Sequence, residues 1–349
     1  MTPSPPLNQL RAILVAAAPG EAVETIETHM SWVFLAGEQV FKLKKPVRFP
    51  FLDFSTLAAR ESACREEQRL NARLAPGIYL GLMVLREQDG RFTLLPEGVA
   101  APGRTVDWLV RMRRLPRDRM LDRALAEHRV GPAQIHALAA VMVAFYRGAV
   151  PVQLDPSEHF ARFQREQAAN REVLLRPQFS LDGVACALDR FDRALLLQRD
   201  ALQTRVRQGC IVDGHGDLRP EHVCLLDPPV VIDCIEFNPV LRQVDPFDDL
   251  AFLALECGMA GAPKVGEQLV NACAHELTHA APRVLLHLYT AGRALVRARL
   301  ALAHLLDLEP RTPQRWPPLA QRYIQHSRVA LDAMERLGAL SPRVGKGGT

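Results

Sequence analysis

The chain has 349 residues, a formal net charge of +4 and a hydrophobic fraction of 48%. This length exceeds that of one compact domain and favours two domains or two lobes of one fold. The charged fraction of 23% is typical of a soluble globular protein. The weak basic excess is smaller than a nucleic-acid-binding domain usually carries, so we expect no nucleic-acid partner. No feature of the sequence indicates an oligomeric state.

Cysteine usage and the N-terminal residues bear on where the protein works. The chain has seven cysteines, an odd number with no CxxC spacing, so we expect reduced core thiols rather than disulfides or a zinc site. The N-terminus, MTPSPPLNQL, lacks the basic start and apolar stretch of a signal peptide. No apolar run reaches the length of about 18 residues that a membrane helix needs. These features predict a cytoplasmic protein with no membrane partner.

The N-terminal third combines short strand-like runs with one long helix. Residues 7 to 18 predict a short helix, and three β-branched and aromatic runs, VETIET, SWVFL and QVFKLK, predict strands. Ser55 is the expected N-cap of a helix from about 56 to 74. Three further strand-like runs, YLGLMVL, RFTLLP and VDWLVRM, complete a mostly antiparallel sheet.

The chain becomes mostly helical after Pro116, with short strands only around CIVDG, VCLL and VVID. Apolar residues recur at helical spacing in seven segments: 135–146, 157–175, 185–207, 246–258, 264–280, 282–306 and 318–337. We therefore predict an α+β fold with an N-terminal lobe at residues 1–112 and a helical C-terminal lobe at 113–340. The remaining residues, 341–349, are an expected disordered tail.

The densest set of chemically active residues lies at 215–237, HGDLRPEHVCLLDPPVVIDCIEF. Its two apolar runs, VCLL and VVI, predict a hairpin whose open ends lie close together. Asp217 precedes the first run and Asp233 follows the second. Two carboxylates clustered in this way suit a hard cation such as Mg2+, especially beside a bound phosphate.

Two residues of the N-terminal lobe add to this set. Lys42 lies in the middle of a predicted strand and shares a face with Lys44. Glu67 interrupts the otherwise apolar stripe of the long helix. A strand lysine paired with a glutamate from a packed helix is a device that holds nucleotide phosphates. Lys44 and Glu66 remain the alternatives at these two positions.

The segment HGDLRPEH resembles the protein-kinase catalytic loop H-R-D-L-K-P-E-N, and more closely the H-G-D form of aminoglycoside phosphotransferases. VVIDCIEF resembles the metal-binding Asp motif that follows this loop, and the order of lysine, glutamate, hinge strand and loop is the same. Two longer stretches, THMSWVFLAGEQVFKLKKPVRFPFLDFSTL and IDCIEFNPVLRQVDPFDDLAFL, are similar to an uncharacterised bacterial family of that superfamily. Some members of it carry an additional C-terminal P-loop ATPase domain. Since no G-x-x-x-x-G-K-[ST] occurs here, we expect the kinase-like part alone.

The resemblance, over residues 20 to 305, implies a bilobal protein-kinase-like fold and an ATP-dependent transfer of phosphate to a hydroxyl of a small molecule. It implies Mg2+ or Mn2+ as the metal. By the same resemblance, Asp217 would be the catalytic base and Asp233 a metal ligand. Lys42 would contact the phosphates and pair with Glu67.

The resemblance also assigns supporting roles. Arg219 would face the phosphates, and His215 would brace the loop by hydrogen bonding. Ser31, in the loop that begins at Thr28, would lie over the phosphates, although no G-x-G-x-x-G is present. Met112 lies in the expected hinge at residues 109–115, whose backbone would contact adenine.

His222 is a departure from this pattern, because protein kinases carry a metal-binding asparagine at that position. Imidazole is a softer ligand for Mg2+ than an amide oxygen. This residue keeps two other functions open. One is a regulatory pseudokinase that binds nucleotide. The other is a metal-dependent hydrolase built on His215, Asp217, His222 and Asp233, which would leave Lys42 and Glu67 without a role.

Overall fold

The computed structural model describes residues 7–17, 20, 22–49, 51–306, 310 and 312–340. The expected tail at 341–349 lies outside these residues. The chain forms two compact units. The first contains the residues up to Arg123, with His215–Asp217 and Glu221–Arg242, and the second contains Ala124–Gly214, Leu218–Pro220 and the residues from Gln243 onward. The domain boundaries expected at residues 112 and 340 stay a prediction.

An antiparallel sheet of six strands forms the basis of the first unit, in the order β1-β2-β3-β8-β6-β7. The strands of the first unit up to β8 are β1 (Val23–Glu27), β2 (Ser31–Ala36), β3 (Gln39–Lys44), β4 (Arg48–Phe49), β5 (Leu52–Asp53), β6 (Tyr79–Gln88), β7 (Arg91–Pro96) and β8 (Arg104–Arg113). All six strand-like runs of the N-terminal third belong to this sheet. The separate hairpin of β4 and β5 was not expected, because each of its strands has only two residues.

Helices α1 (Leu7–Ala17) and α2 (Leu57–Asn71) complete this part of the unit. The expected N-cap of α2 at Ser55 is wrong by one position. The Thr56 hydroxyl accepts the Ala59 N–H at 3.1 Å, while the Ser55 hydroxyl donates to Asp53. Threonine and serine have the same capping chemistry, so the sequence could not separate the two neighbours.

Helix α2 is tied to the sheet by a buried ion pair between Arg60 and Asp107 of β8. Arg60 Nε lies 2.9 Å from Asp107 Oδ1, and both side chains are almost fully buried. Arg60 Nη1 also donates to the Phe54 carbonyl at 3.0 Å. A buried guanidinium with these partners fixes the rotation of α2, and therefore fixes which of its residues face the sheet.

The alternation of side chains along β3 separates two apolar layers. Phe41 and Leu43 pack on the side of α1, in a cluster that includes Leu10, Leu14, Phe34, Leu85 and Leu109. The opposite face packs against α2 in a cluster that includes Cys64, Ile78, Leu82, Val110, Cys224 and Val230. Lys42 and Lys44 therefore project toward α2.

The predicted hairpin pairs β10 (Val223–Cys224) with β11 (Val230–Val231) in antiparallel register. The Val231 N–H donates to the carbonyl of Leu74, just beyond α2, at 3.1 Å. This bond brings the residues that follow β11 to the C-terminal end of α2.

The second unit is mainly helical, with one short antiparallel pair, β9 (Val212–Asp213) and β12 (Gln243–Val244). Its helices are α3 (Leu121–Ala126, which begins in the first unit), α4 (Pro132–Gly148), α5 (Pro156–Leu174), α6 (Val184–Leu197), α7 (Arg199–Arg207), α8 (Pro246–Met259), α9 (Pro263–Glu276), α10 (Arg283–Ala303) and α11 (Trp316–Arg336). The single helix expected at 185–207 is two helices that break at Gln198, where no proline or glycine marks the break. The predicted α+β class is confirmed. Every helix of the described residues is too short or too polar to cross a bilayer.

Candidate active site

Lys42, Glu67 and Asp233 form one cluster in the first unit. Lys42 Nζ lies 3.0 Å from Glu67 Oε1 and 2.6 Å from Asp233 Oδ1. The Glu67 side chain is fully buried, whereas 41% of the Asp233 side chain is exposed. The lysine of β3 thus joins a buried helix carboxylate to a carboxylate that solvent, and hence a ligand, can reach.

Lys44 is a second partner of Glu67 rather than a substitute for Lys42. Its Nζ lies 2.7 Å from Glu67 Oε2, so the two lysines occupy the two oxygens of one carboxylate. Lys44 also binds the Glu236 carboxylate. Glu66, the sequence alternative to Glu67, instead pairs with Arg69 and Arg242. Glu67, the glutamate that the helical stripe favoured, is therefore the one that contacts Lys42, and its role toward a nucleotide stays a prediction.

The electrostatics of the cluster favour its charged forms. Burial alone would raise the pKa of Asp233, but Lys42 and His222 hold it well below its usual range. Burial would also raise the pKa of Glu67, and the two lysines lower it. Burial would lower the pKa of Lys42, yet the Asp233 and Glu67 carboxylates raise it well above its ordinary value. A carboxylate that remains ionised in this way is ready to bind a cation.

The backbone at Asp233 has a strained conformation that its neighbours hold in place. Its φ is +64°, in the left-handed region that side chains other than glycine rarely adopt. The Asp233 N–H donates to the Tyr79 hydroxyl at 3.4 Å, and the Cys234 N–H donates to Asn71 Oδ1 at 2.9 Å. Asn71 Nδ2 donates in turn to the Glu67 carbonyl at 2.8 Å.

Asn71 is a residue of this cluster that the sequence reasoning missed. It is fully buried at the end of α2 and bridges the helix to the segment that carries Asp233. The available signal was its position four residues after Glu67, which places both on one face of the helix.

His215 braces the loop, since both of its ring nitrogens bind backbone. Its Nε2 donates to the Ile232 carbonyl at 2.9 Å, and its Nδ1 accepts the Asp217 N–H at 3.2 Å. The next residue, Gly216, has a φ of +84°, and a Cβ there would lie 2.9 Å from the Leu241 carbonyl oxygen. The loop therefore requires glycine, and it presents an Asp217 side chain that is 29% exposed.

His222 lies between the two aspartates. Its Nδ1 donates to the Asp217 carbonyl at 2.8 Å, and its Nε2 lies 3.5 Å from Asp233 Oδ2. The same ring approaches Asp217 Oδ2 at 3.8 Å. Both carboxylates therefore approach one imidazole.

The ligand set of a metal hydrolase is not assembled here. The ring centroids of His215 and His222 lie 6.0 Å apart, and the backbone bonds of His215 occupy both of its nitrogens. In the described part of the chain, no three His, Cys, Asp or Glu side chains are grouped so that they could hold a metal ion. Lys42 and Glu67, which this hypothesis left without a role, are paired.

Three further candidate residues lie outside the charged cluster. Ser31 begins β2, is 2% exposed, and donates its N–H to Thr28 Oγ1 at 2.9 Å in the turn before the strand. Met112 is buried in the central strand β8, opposite Val40. Arg219 belongs to the second unit. The contacts of these residues with a nucleotide stay predictions.

Solved structures of small-molecule kinases have the same fold. A choline/ethanolamine kinase family protein from Mesorhizobium loti matches with a TM-score of 0.57 and 15% identity, over 96% of this chain and 97% of that one. A choline kinase from Cryptosporidium parvum has a TM-score of 0.52 and 12% identity, covering 96% and 98% of the two chains. The aminoglycoside phosphotransferase APH(4)-Ia has a TM-score of 0.53 and 10% identity, covering 94% and 99%. The chain therefore has the protein-kinase-like fold of these enzymes, as the resemblance predicted.

Relatives that are similar in sequence occur in mycobacteria. Uncharacterised proteins of Mycobacterium bovis and Mycobacterium tuberculosis are each 30% identical to this chain over 327 residues, which is 88% of this chain. The chain spans 61% of the length of these relatives. No protein-family model matches it.

Proposed function

We propose that this chain is an ATP-dependent phosphotransferase that moves the γ-phosphate to a hydroxyl group of a small molecule. The observation that carries the proposal is the pairing of Lys42 with both Glu67 and Asp233, at 3.0 and 2.6 Å, in a chain with a kinase-like fold. A structure with this fold, that of APH(4)-Ia, is a ternary complex with AMP-PNP and hygromycin B. That complex holds a nucleotide and a small molecule, and the corresponding ligands that we expect here are ATP and a hydroxyl-bearing acceptor.

Asp217, Asp233 and His222 would supply two carboxylates and an imidazole to a divalent cation. No three such side chains of the described residues are grouped closely enough to hold a metal ion by themselves, so oxygens of the bound phosphates would have to complete its ligands. Asp217 and Asp233 are the partly exposed carboxylates, and both lie within 3.8 Å of His222. Carboxylate oxygens are the ligands that Mg2+ prefers, and Mn2+ accepts both oxygen and imidazole ligands. A metal bound here with ATP would neutralise charge on the phosphate oxygens. Asp233 would hold it, with His222 as a further candidate ligand.

The chain's own residues would then act on the two substrates. Lys42 would exchange Asp233 for phosphate oxygens while Glu67 keeps its ammonium group in place. Asp217 would orient the acceptor hydroxyl and take its proton as the oxygen attacks the γ-phosphorus and the bond to the ADP oxygen breaks. His215 would hold the Asp217 backbone during this step. Arg219 would contact the phosphates from its place in the H-G-D loop.

A nucleotide-binding pseudokinase is the second candidate function. His222 favours it, because the ring approaches both aspartates from the position where protein kinases carry a metal-binding asparagine. The intact set of Lys42, Glu67, Asp217 and Asp233 favours catalysis. The two candidates share nucleotide binding and differ only in turnover.

The first experiment is a thermal-shift titration with ATP plus Mg2+ or Mn2+. A ligand that binds only the native state stabilises it by about 2.7 kcal/mol at 100 times its Kd, which raises the Tm. We expect a metal-dependent shift in the wild type, and none in Asp233→Ala. Asp200→Ala, which changes an exposed aspartate of α7, is the matched control and should behave as the wild type. No shift with any nucleotide at saturation would contradict both candidates.

Turnover separates the two candidates. ADP release would be measured with panels of sugars, amino alcohols and nucleosides as acceptors. We expect one class to stimulate release in the wild type, and Asp217→Asn to bind nucleotide without turnover. The pseudokinase would be favoured if both the wild type and Asp217→Asn bind nucleotide and release ADP at the same background rate with every panel of acceptors.

A further inference from the structure

A second ion pair lies behind the pair of Lys42 and Glu67. Five charged side chains of alternating sign contact one another in sequence: Asp233, Lys42, Glu67, Lys44 and Glu236. Both ends of this series belong to one short segment, since Glu236 follows Asp233 by three residues. The backbone therefore closes the series into what we call the charge ring.

We call Lys44 and Glu236 the outer pair, because they lie farthest along the series from Lys42 and Asp233. The outer pair is the more deeply buried part of the charge ring. The Lys44 side chain is 1% exposed and that of Glu236 is 8% exposed, compared with 41% for Asp233. Burial of an ion pair has a desolvation cost that only good geometry offsets. Burial is also strong enough to raise the pKa of Glu236 even though Lys44 opposes it. A well-packed apolar pair at these two positions would give a folded state of equal or greater stability, so stability alone does not account for the charges.

Glu67 shows what the outer pair contributes. A carboxylate with a single partner can rotate about its terminal bond and carry that partner with it. Here Lys42 binds Oε1 and Lys44 binds Oε2, at 3.0 and 2.7 Å. The plane of the carboxylate is therefore fixed, and it fixes the position of the Lys42 ammonium group.

The ring also connects β3 to the Asp233 segment at two points. Lys42 and Lys44, two residues apart on one face of the strand, bind Asp233 and Glu236 respectively. During the proposed reaction the first of these contacts would have to open, because Lys42 would contact phosphate oxygens and Asp233 would hold the metal. The second contact involves neither ligand and can stay closed.

We infer that Lys44 and Glu236 are positioning residues, which hold Glu67 and the Asp233 segment in place while Lys42 and Asp233 change partners. This inference rests on the proposed phosphotransferase function. It predicts that loss of the outer pair weakens the metal-dependent part of nucleotide binding. Neither residue needs to touch the nucleotide for this effect.

The test is the ratio of the AMP-PNP Kd without Mg2+ to the Kd with saturating Mg2+, measured by calorimetry. A change in folded fraction alone leaves this ratio unchanged, whereas a misplaced Asp233 lowers it. The principal variant is Lys44→Met with Glu236→Gln, which removes both charges together. Residues that orient metal ligands typically contribute about 10- to 100-fold, so we expect the ratio to fall by about tenfold or more.

Two variants complete the design. Lys45→Met is the matched control, since Lys45 is adjacent in the chain but binds Glu27 at 2.6 Å, outside the ring. It should keep the wild-type ratio. Lys44→Arg keeps a cation between Glu67 and Glu236 and should recover most of the ratio that the double variant loses.

The outcomes are distinct. A wild type that binds AMP-PNP with a clear Mg2+ dependence, together with a double variant of unchanged ratio, would overturn the inference and leave the proposed function intact. A wild type that binds no nucleotide would overturn both. If the double variant does not fold, Glu236→Gln alone, which removes one charge at constant volume, has to lower the ratio, and an unchanged ratio overturns the inference.

Discussion

Each unit of this protein has a buried carboxylate network, and the two networks are built from different cations. In the second unit, Arg205 binds both oxygens of Asp245 at 2.6 and 3.0 Å, and the two side chains are 5% and 1% exposed. Asp245 also accepts the Tyr289 hydroxyl at 3.1 Å and caps α8 through the Phe247 N–H. The charge ring of the first unit uses lysines and leaves Asp233 partly exposed.

The difference between the cations explains the difference in role. Arginine presents a planar fork that matches a carboxylate in one geometry, whereas lysine is a point charge on a flexible stem. The pair of Arg205 and Asp245 therefore has one stable arrangement. Lys42 can replace a carboxylate partner with a phosphate at little geometric cost. The network of Arg205 and Asp245 therefore holds one geometry, whereas the charge ring can exchange ligands.

The largest expected effect is on stability, in Arg205→Met. Removal of one partner of a buried pair leaves an uncompensated charge and costs about 3–5 kcal/mol. Urea denaturation would measure this loss, and Arg193→Met, at an exposed position of α6, is the control. The Kd for AMP-PNP of the folded variant should not change. A loss of nucleotide affinity as large as the loss of stability would break the distinction between the two networks.

Lys42→Met should show the opposite pattern. Loss of one electrostatic contact in a transition state lowers kcat by about 10²–10³-fold. Its effect on unfolding should be smaller than that of Arg205→Met, because Glu67 keeps Lys44 and Asp233 is open to solvent. ADP release with an acceptor and urea denaturation are the two measurements. A stability loss equal to that of Arg205→Met, with transfer retained, would place Lys42 among the structural cations.

The pH dependence of stability sharpens the comparison through His159 of α5. Burial lowers the pKa of His159 from its ordinary 6.5 to about 4, with Arg162 acting in the same direction and Asp245 opposing. As the pH decreases, the His159 imidazole is therefore protonated near pH 6.5 in the unfolded chain, but only near pH 4 in the folded chain. Stability should fall as the pH decreases through this window, by up to about 3 kcal/mol at about 1.4 kcal/mol per pKa unit.

His159→Phe removes the titrating imidazole, so the free energy of unfolding should depend less on pH between pH 6.5 and 4.5. Urea denaturation at several pH values measures the difference in the free energy of unfolding between the variant and the wild type. Because Glu236 titrates in both proteins, its contribution cancels in this difference. Glu67 and Asp233 act at lower pH, because their lowered pKa values give stability that is lost only below the ordinary carboxyl range. Equal slopes for the two proteins would mean that His159 takes up its proton in the folded state.

Part of the site followed from local periodicity in the sequence. Two-residue spacing placed Lys42 and Lys44 on one face, and the helical stripe selected Glu67 over Glu66. The hairpin predicted that the residues flanking it approach each other, and His222 contacts both Asp217 and Asp233.

Other features depend on contacts that no local pattern encodes. Glu236 binds a lysine 192 positions away in the sequence, and its own neighbours do not indicate that partner. The break at Gln198 lies in a continuous helical pattern, and the choice between Ser55 and Thr56 as N-cap depends on a turn. Tertiary packing decides these features.

Asn71→Ala has the smallest expected effect and tests the comparison most closely. The change leaves the Cys234 N–H without its acceptor, and a buried unsatisfied donor costs about 1–3 kcal/mol. Since Asn71 holds the segment that carries Asp233, the Mg2+ dependence of AMP-PNP binding should also fall. Asn170→Ala is the control, because Asn170 is a buried asparagine of α5 in the second unit. It should lose stability and keep the full Mg2+ dependence. Equal Mg2+ dependence in the two variants would show that Asn71 stabilises the fold without positioning the metal ligand.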